Sequence, residues 1–184
     1  TSVLSNIIVM EDIVSRRADM QRINPTDGKF TNPGYEYLKM IYLMKDAQAQ
    51  DSSQNTSPYF YPLLALQSAR LAIEEYVDLV GRQIDPVWYD SDQESVSIKK
   101  RVTRIHKKAG KKVNFRKGIW KDVLTLYNKA RRIRKNPSEF RNAPEAEIPK
   151  TYRDVAKKYP IHRSQALAEE AVEALLDCSK IRPL

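Results

Sequence analysis

With 184 residues, of which 41% are hydrophobic and 30% charged, the chain can form one full hydrophobic core, and its composition is globular rather than disordered. One cysteine, Cys178, excludes an internal disulfide, and with only 2 histidines beside it no metal or cofactor site is predicted. No apolar run reaches the length of a membrane span and the chain begins without a signal-peptide pattern, so we expect a cytoplasmic location.

Apolar residues recur at helical spacing along the chain, and no segment alternates as a strand would. An amphipathic helix is predicted from Val3 to about Ile23, before the break at residues 24–28. Asn32-Pro33 combines a capping residue with a proline at the first helical position, which predicts a second helix. Its apolar face should hold Tyr37, Met40, Ile41 and Met44. A polar loop follows over residues 51–57.

A third helix is predicted from Ser57-Pro58 to Asp85-Pro86 and should become regular after Pro62. It is apolar over so much of its surface that it should lie at the centre of a bundle. Ser91 and Glu94 fit a capping box for a fourth helix that ends near Ala109. After a basic linker over residues 110–117, a fifth helix is predicted that Pro137 stops, with a regular stripe of Ile119, Val123, Leu126, Ala130 and Ile133.

Two further helices are predicted after an exposed acidic connection at residues 142–150. A short one covers Tyr152 to Tyr159, and the last runs from about Ser164 to Ser179. The sequence therefore predicts an all-α fold, a single-domain bundle of six to seven helices over residues 1–184. Residues 1–50 would supply N-terminal helices and residues 57–180 the core.

The net charge of +9 is concentrated in the middle of the chain, where residues 99–135 hold sixteen Lys or Arg and one acid, Asp122. Such a segment attracts polyanions through phosphate contacts and counterion release. The alternative is an ordinary solvated helical face. The predicted nucleic-acid-binding residues are Lys99, Lys100, Arg104, Lys107, Lys108, Lys111, Lys112, Arg131, Arg132, Arg134 and Lys135.

His106 stands in the segment Arg101-Val-Thr-Arg-Ile-His106, with Lys107 and Lys108 next to it. Neighbouring cations disfavour the imidazolium form, which would lower the pKa of His106 and keep it available as a base near neutral pH. Arg101 is displaced from His106 by about 140° around a helix, so the two do not simply share a face. The alternative is a surface histidine on a lysine-rich helix.

Three segments, Leu-Ala-Leu-Gln-Ser-Ala-Arg-Leu-Ala-Ile-Glu-Glu-Tyr (64–76), Ile98-Lys99-Lys100 and Trp120 to Arg134, together resemble the HEPN superfamily of small helical bundles over about residues 60–180. The resemblance implies an RNA-binding domain or a metal-independent, defence- or toxin-like endoribonuclease, often dimeric. In such enzymes an arginine, often followed by asparagine, steadies the scissile phosphate, and a histidine a few residues later moves protons.

The chain departs from that motif at its arginine–asparagine pair. Arg141 and Asn142 are followed by Ala146 where the resemblance would place histidine, whereas Arg101 and His106 have the required spacing. The candidate catalytic residues are therefore Arg101 and His106, with Arg141 and Asn142 as a second set.

Three main functions stay open on the sequence, beside a fourth, DNA binding through a helix-turn-helix, for which the basic eight-residue stretch between the fourth and fifth helices is longer than the usual turn. The first is an RNA-binding domain of HEPN type that is catalytically weak or silent, and the second is an active ribonuclease that uses Arg101 and His106. The third is a non-enzymatic module whose basic face meets an acidic protein, including a homodimer in which the acidic last helix meets the basic helices. Trp120 and Tyr127 should pack the fifth helix rather than stack on bases, which favours recognition of a nucleic-acid backbone.

Overall fold

A computed structural model of the protein describes residues 33–90 and 96–179. These residues form helices and loops without any strand, which confirms the all-α class. The first predicted helix, from Val3 to Ile23, lies outside the described residues. The α-helices in the described part are α1 (Pro33–Gln50), α2 (Phe60–Ile84), α3 (Pro86–Asp90), α4 (Ile98–Lys108), α5 (Ile119–Arg131), α6 (Lys150–Lys158) and α7 (Ile161–Leu176), with short 3-10 helices at Pro137–Phe140 and Glu145–Glu147.

Helix α2 lies at the centre of the bundle, as its all-round apolar pattern predicts. Thirteen of its 25 residues are buried, and Leu63, Leu66 and Ile73 are fully enclosed. Helices α1, α4, α5 and α7 all pack on α2, and α7 also contacts α1 and α5. Alanines at positions 65, 69 and 72 are fully buried, and their small side chains allow neighbouring helices to approach closely.

Several predicted boundaries and faces differ from the structure. Helix α2 is already regular at Phe60, and Pro62 is accommodated because the first turn has no intrahelical N–H bonds to lose. On α1 the apolar stripe is rotated from the predicted one: Leu38 and Ile41 are buried, whereas the side chain of Met40 is 42% exposed.

The fourth helix is shorter than predicted. Val96 and Ser97 are not helical, and α4 begins at Ile98 with the Ser97 hydroxyl accepting a hydrogen bond from the N–H of Lys100. The predicted capping box of Ser91 and Glu94 falls outside the described residues. A short helix that the sequence did not predict, α3, instead follows α2 directly after Asp85.

The end of α5 is held by a side chain from α2. The amide nitrogen Nε2 of Gln67 donates to the carbonyl oxygens of Ala130 and Ile133, each at 3.0 Å. The Ala130 carbonyl also accepts from the N–H of Ile133 at 3.1 Å, so the amide is a second donor there and supplies a donor to the Ile133 carbonyl beyond the end of the helix. Helix α5 therefore ends at Arg131, before Pro137, although Ile133 is buried as its stripe predicts.

No helix in the described ranges combines the length and the hydropathy that crossing a bilayer requires.

Candidate nucleic-acid interface

His106 is a core residue of the bundle and is only 5% exposed. Its Nδ1 lies 2.9 Å from the carbonyl oxygen of Val102, and its Nε2 lies 3.2 Å from the indole Nε1 of Trp120. An indole N–H can only donate, so Nε2 is the acceptor and Nδ1 carries the proton that is donated to Val102. Both ring nitrogens are thus occupied by neighbours in the fold.

Burial is the main cause that lowers the pKa of His106 below the usual histidine range, with a smaller contribution from the charge of Lys111. The direction agrees with the expectation from the sequence, but the main cause is desolvation of the imidazolium rather than the neighbouring lysines. The alternative of a surface histidine is wrong, because His106 faces α5 and not the solvent.

Arg101 projects from α4 towards the carboxylates of α2. Its Nη1 is 2.5 Å from Oδ1 of Asp78, its Nη2 is 3.7 Å from Oε1 of Glu74, and its side chain is 11% exposed. Arg101 therefore contacts α2 while His106 contacts α5, as their separation of about 140° around the helix requires. The structure does not bring the two side chains together as a catalytic pair.

Arg141 and Asn142 lie elsewhere, after the 3-10 helix Pro137–Phe140, and both are exposed. The guanidinium of Arg141 lies 5.8 Å from the ring centroid of Phe60, and its carbonyl accepts a hydrogen bond from the N–H of Ser57. Phe60 and Asp78 stand eighteen residues apart on α2, which corresponds to about 27 Å of helix. This second candidate set is consequently remote from Arg101.

The cations of α4 differ in whether a carboxylate compensates them. Nε of Arg104 lies 2.7 Å from Oδ2 of Asp85, and Nζ of Lys108 lies 3.6 Å from the same oxygen. The hydrogen bond from Arg104, helped by both positive charges, lowers the pKa of Asp85. Two predicted phosphate-binding residues, Arg104 and Lys108, are thus already paired with a carboxylate of the protein.

Neighbouring lysines on the same outward face of α4 are uncompensated. Lys100 and Lys107, two turns apart on one face, are exposed and make no ion pair with any residue that the structure describes. The same holds for further cations along the α4–α5 connection and the end of α5. We call this set the basic surface; its residues are Lys99, Lys100, Lys107, Lys111, Lys112, Arg131, Arg132, Arg134 and Lys135.

Contacts between α4 and α5 show how these cations are arranged. At one end His106 meets Trp120, and at the other Ile98 and Lys99 line a small apolar gap with Leu124 and Tyr127. Both helices pack on α2. The side-chain contacts between them run antiparallel, from His106 and Trp120 to Lys99 and Tyr127.

Aromatic side chains contribute little to this surface. Trp120 and Tyr127 are 5% and 4% exposed, which confirms that they pack α5. Phe115 is half-buried, and the Lys99 ammonium lies 5.3 Å from the centroid of its ring. The arrangement offers positive charge to a polyanion and few faces on which a base could stack.

Two cations that the sequence prediction did not include, Lys129 and Lys158, line a cleft between α5 and α6 together with Arg132. Lys129 belongs to the basic segment and could have been included on composition alone. Lys158 lies outside that segment, and only the packing of α6 against the end of α5 brings it there.

Comparisons with protein-family models, with curated proteins and with solved structures gave no match. In the described ranges, no group of three or more His, Cys, Asp or Glu side chains is arranged to hold a metal ion.

Proposed function

We propose that this protein binds RNA through its phosphate backbone, using the basic surface, and that it does so without catalysis by Arg101 and His106. The observation that carries the proposal is the set of exposed cations on α4, the α4–α5 connection and the end of α5 that lack a carboxylate partner among the described residues. Such cations gain by displacing the counterions that condense on a nucleic acid.

The contrast between paired and unpaired cations on α4 supports the assignment of the basic surface to RNA binding. Arg101, Arg104 and Lys108 stabilise the bundle through α2, whereas Lys100 and Lys107 make no such contribution to the fold. Lysines that are dispensable for packing but clustered on one side of the molecule are typical of a surface that meets phosphates.

RNA is favoured over duplex DNA by two considerations. The connection between α4 and α5 spans residues 109–118, longer than the usual turn of about three to four residues in a helix-turn-helix. The resemblance of residues 64–76 and of Trp120 to Arg134 to the HEPN superfamily implies RNA as the polyanion. Within that resemblance the protein would be an inactive relative of metal-independent ribonucleases.

The absence of catalysis is proposed because His106 has no free nitrogen. Its Nε2 accepts from Trp120 and its Nδ1 donates to Val102, so neither is directed to a substrate. A general base must reach the proton that it abstracts, directly or through one water.

The decisive experiment measures the affinity for single-stranded RNA, structured RNA and duplex DNA over a series of salt concentrations, with cleavage products followed in the same samples. We expect RNA binding to weaken steeply with salt, with a log–log slope of about 0.7 for each phosphate contact to a single strand. Replacing Lys100 and Lys107 with glutamine should reduce both the affinity and this slope.

A matched control is available on α1, whose main contacts are with α2 and α7 and where Lys39 and Lys45 are exposed. Replacing these two lysines with glutamine removes the same charge and should leave RNA binding nearly unchanged. Equal losses in both double variants, or RNA affinity that is indifferent to salt, would overturn the proposal. Retention of an acidic protein without any binding of nucleic acid would assign the surface to a protein partner instead.

A further inference from the structure

The cleft between α5 and α6 has features that backbone binding on an open surface does not require. Its volume is about 230 Å³, and it lies where the last turn of α5 and the following residues meet α6. Three cations line it: Lys129 and Arg132 from α5 and its end, and Lys158 from the last turn of α6. We refer to it as the α5–α6 cleft.

The cleft has an apolar wall opposite these charges. Ile133, Tyr152 and Val155 line it, with Ile133 buried and the other two half-buried. A space of this size is smaller than the roughly 300–1,000 Å³ of pockets that enclose drug-sized ligands. It suits one nucleotide unit, with an apolar surface for the base and cations for the phosphate.

Hydrogen bonds hold the cleft in shape without a ligand. The hydroxyl oxygen of Tyr152 accepts from the backbone N–H of Arg134 at 3.1 Å and from that of Lys135 at 3.4 Å. These bonds tie the chain that follows α5 to helix α6. Gln67 fixes the preceding turn through the carbonyls of Ala130 and Ile133, so both sides of the cleft are anchored to the bundle.

The charge of the cleft exceeds what a phosphodiester needs. Asp154 is the acid that lines it, and its carboxylate is paired with Lys150, whose Nζ lies 2.6 Å from Oδ2. Of the three lining cations, Lys158 also lies with its Nζ 5.7 Å from the ring centroid of Tyr159, and a ligand phosphate would draw it from there into the cleft. A terminal phosphate monoester carries a charge of about −1.5 to −2 at neutral pH, whereas a phosphate within a chain carries one negative charge.

We propose that the α5–α6 cleft binds a nucleotide that carries a terminal phosphate monoester, either at the end of an RNA or as a free nucleoside monophosphate. Lys129, Arg132 and Lys158 contact the phosphate, and the base lies against Tyr152 and Val155. The RNA form of this inference rests on the proposed function, while binding of a free mononucleotide does not.

The test compares three oligonucleotides of one sequence that bear a 5′-phosphate, a 3′-phosphate or hydroxyl groups at both ends. At least one phosphorylated form should bind about tenfold more tightly than the hydroxyl form, because its phosphate gains charge-assisted hydrogen bonds. Replacing Lys129 and Arg132 with glutamine should abolish this preference. The matched double variant, Arg134→Gln with Lys135→Gln, should weaken the binding of all three oligonucleotides alike and retain the preference for a phosphorylated end.

A second arm uses the full chain with uridine monophosphate and with uridine, followed by amide NMR shifts. Uridine monophosphate should shift the amides of Thr151 and Val155, and uridine should shift them far less. If the mononucleotide binds and RNA does not, the nucleotide site in the cleft is supported and the proposed function is refuted. If RNA binds equally well with and without a terminal phosphate, and uridine monophosphate shifts no amide, the nucleotide site is refuted and the proposed function is unaffected.

Discussion

Trp120 donates its indole N–H to Nε2 of His106 across 3.2 Å, and this contact alone fixes the tautomer of a buried histidine. Protonation at Nε2 would place two donors against each other in the core, so His106 resists becoming charged. The residue that the sequence offers as a base is therefore a packing and hydrogen-bonding element between α4 and α5.

Acidification should lower the stability of the folded protein because of His106. Its pKa is lowered in the folded state, so on acidification the unfolded chain takes up the proton first and is favoured. The loss begins as the pH drops through the unfolded pKa of about 6.5, continues down to the lower folded pKa, and is at most about 1.4 kcal/mol per pH unit. Urea unfolding between about pH 7.5 and 5.5 measures it.

Two variants separate this effect from other titrations. Replacing His106 with glutamine should flatten the pH dependence in that window, whereas replacing the exposed His162 with glutamine should leave it as in the native protein. Identical pH profiles for the native chain and the His106→Gln variant would contradict the assignment.

Asp85 should restrain RNA binding, because it pairs with Arg104 and Lys108. Replacing Asp85 with asparagine keeps an oxygen acceptor but releases two cations next to the basic surface. On the proposed function, affinity for RNA at low salt should rise roughly three- to tenfold, and the salt slope should increase by about 0.7 for each additional phosphate contact.

Glu147→Gln is the control for this prediction, because it raises the net charge equally at an exposed acid in the 3-10 helix Glu145–Glu147. It should change RNA affinity far less than Asp85→Asn does. If both variants strengthen binding to the same degree, net charge rather than the pairing of Asp85 governs the affinity.

Gln67→Met should destabilise the protein while conserving the volume of the side chain. The Ile133 carbonyl would lose the donor that Gln67 supplies and the Ala130 carbonyl one of its two donors, at a cost of about 1–3 kcal/mol in the free energy of unfolding. Chemical denaturation measures the change. The same replacement at the exposed Gln48 on α1 should alter stability by less than about 0.5 kcal/mol, and an equal effect at both positions would refute the role given to Gln67.

Gly81 should be required for the position of Tyr89. A Cβ at position 81 would lie 2.0 Å from Cζ of Tyr89, whose hydroxyl donates to the carbonyl of Val77 at 3.3 Å. Gly81→Ala should therefore lower stability by about 1–3 kcal/mol, because the buried ring must move.

A double-mutant cycle tests the cause of that loss. In a Tyr89→Leu background no ring atoms remain to clash, and Gly81→Ala should become neutral or stabilising by about 0.5–1 kcal/mol, as alanine favours a helix interior. If Gly81→Ala costs the same in both backgrounds, the clash with Tyr89 is not its origin.

Hydrophobic periodicity was sufficient to predict the helical class and the central place of α2, because a helix that is apolar on all sides must be enclosed. The burial of His106 was also readable, since it follows Val102 by one turn on a stripe with Ile98. The lysines next to it suggested a charged surface instead, although they project from the other side of α4.

The pairing of the α4 cations was harder to foresee. Asp78 and Asp85 stand two turns apart on one side of α2, but which neighbouring helix they meet depends on the order of packing around α2. Composition alone does not show which lysines and arginines of residues 99–135 are paired with carboxylates, so it cannot separate them from those that are free to bind a ligand. The α5–α6 cleft depends in the same way on a contact between residues 129–133 and residues 151–158, which local patterns do not encode.

The cations of α4 divide by partner: Arg101, Arg104 and Lys108 pair with carboxylates of the bundle, whereas Lys100 and Lys107 pair with none among the described residues. On the proposed function, natural substitutions at Lys100 or Lys107 would therefore retune the strength or choice of the ligand while the scaffold stays intact. Arg101 has no such freedom: its loss would leave Asp78 without this partner, although Glu74 would keep Arg70.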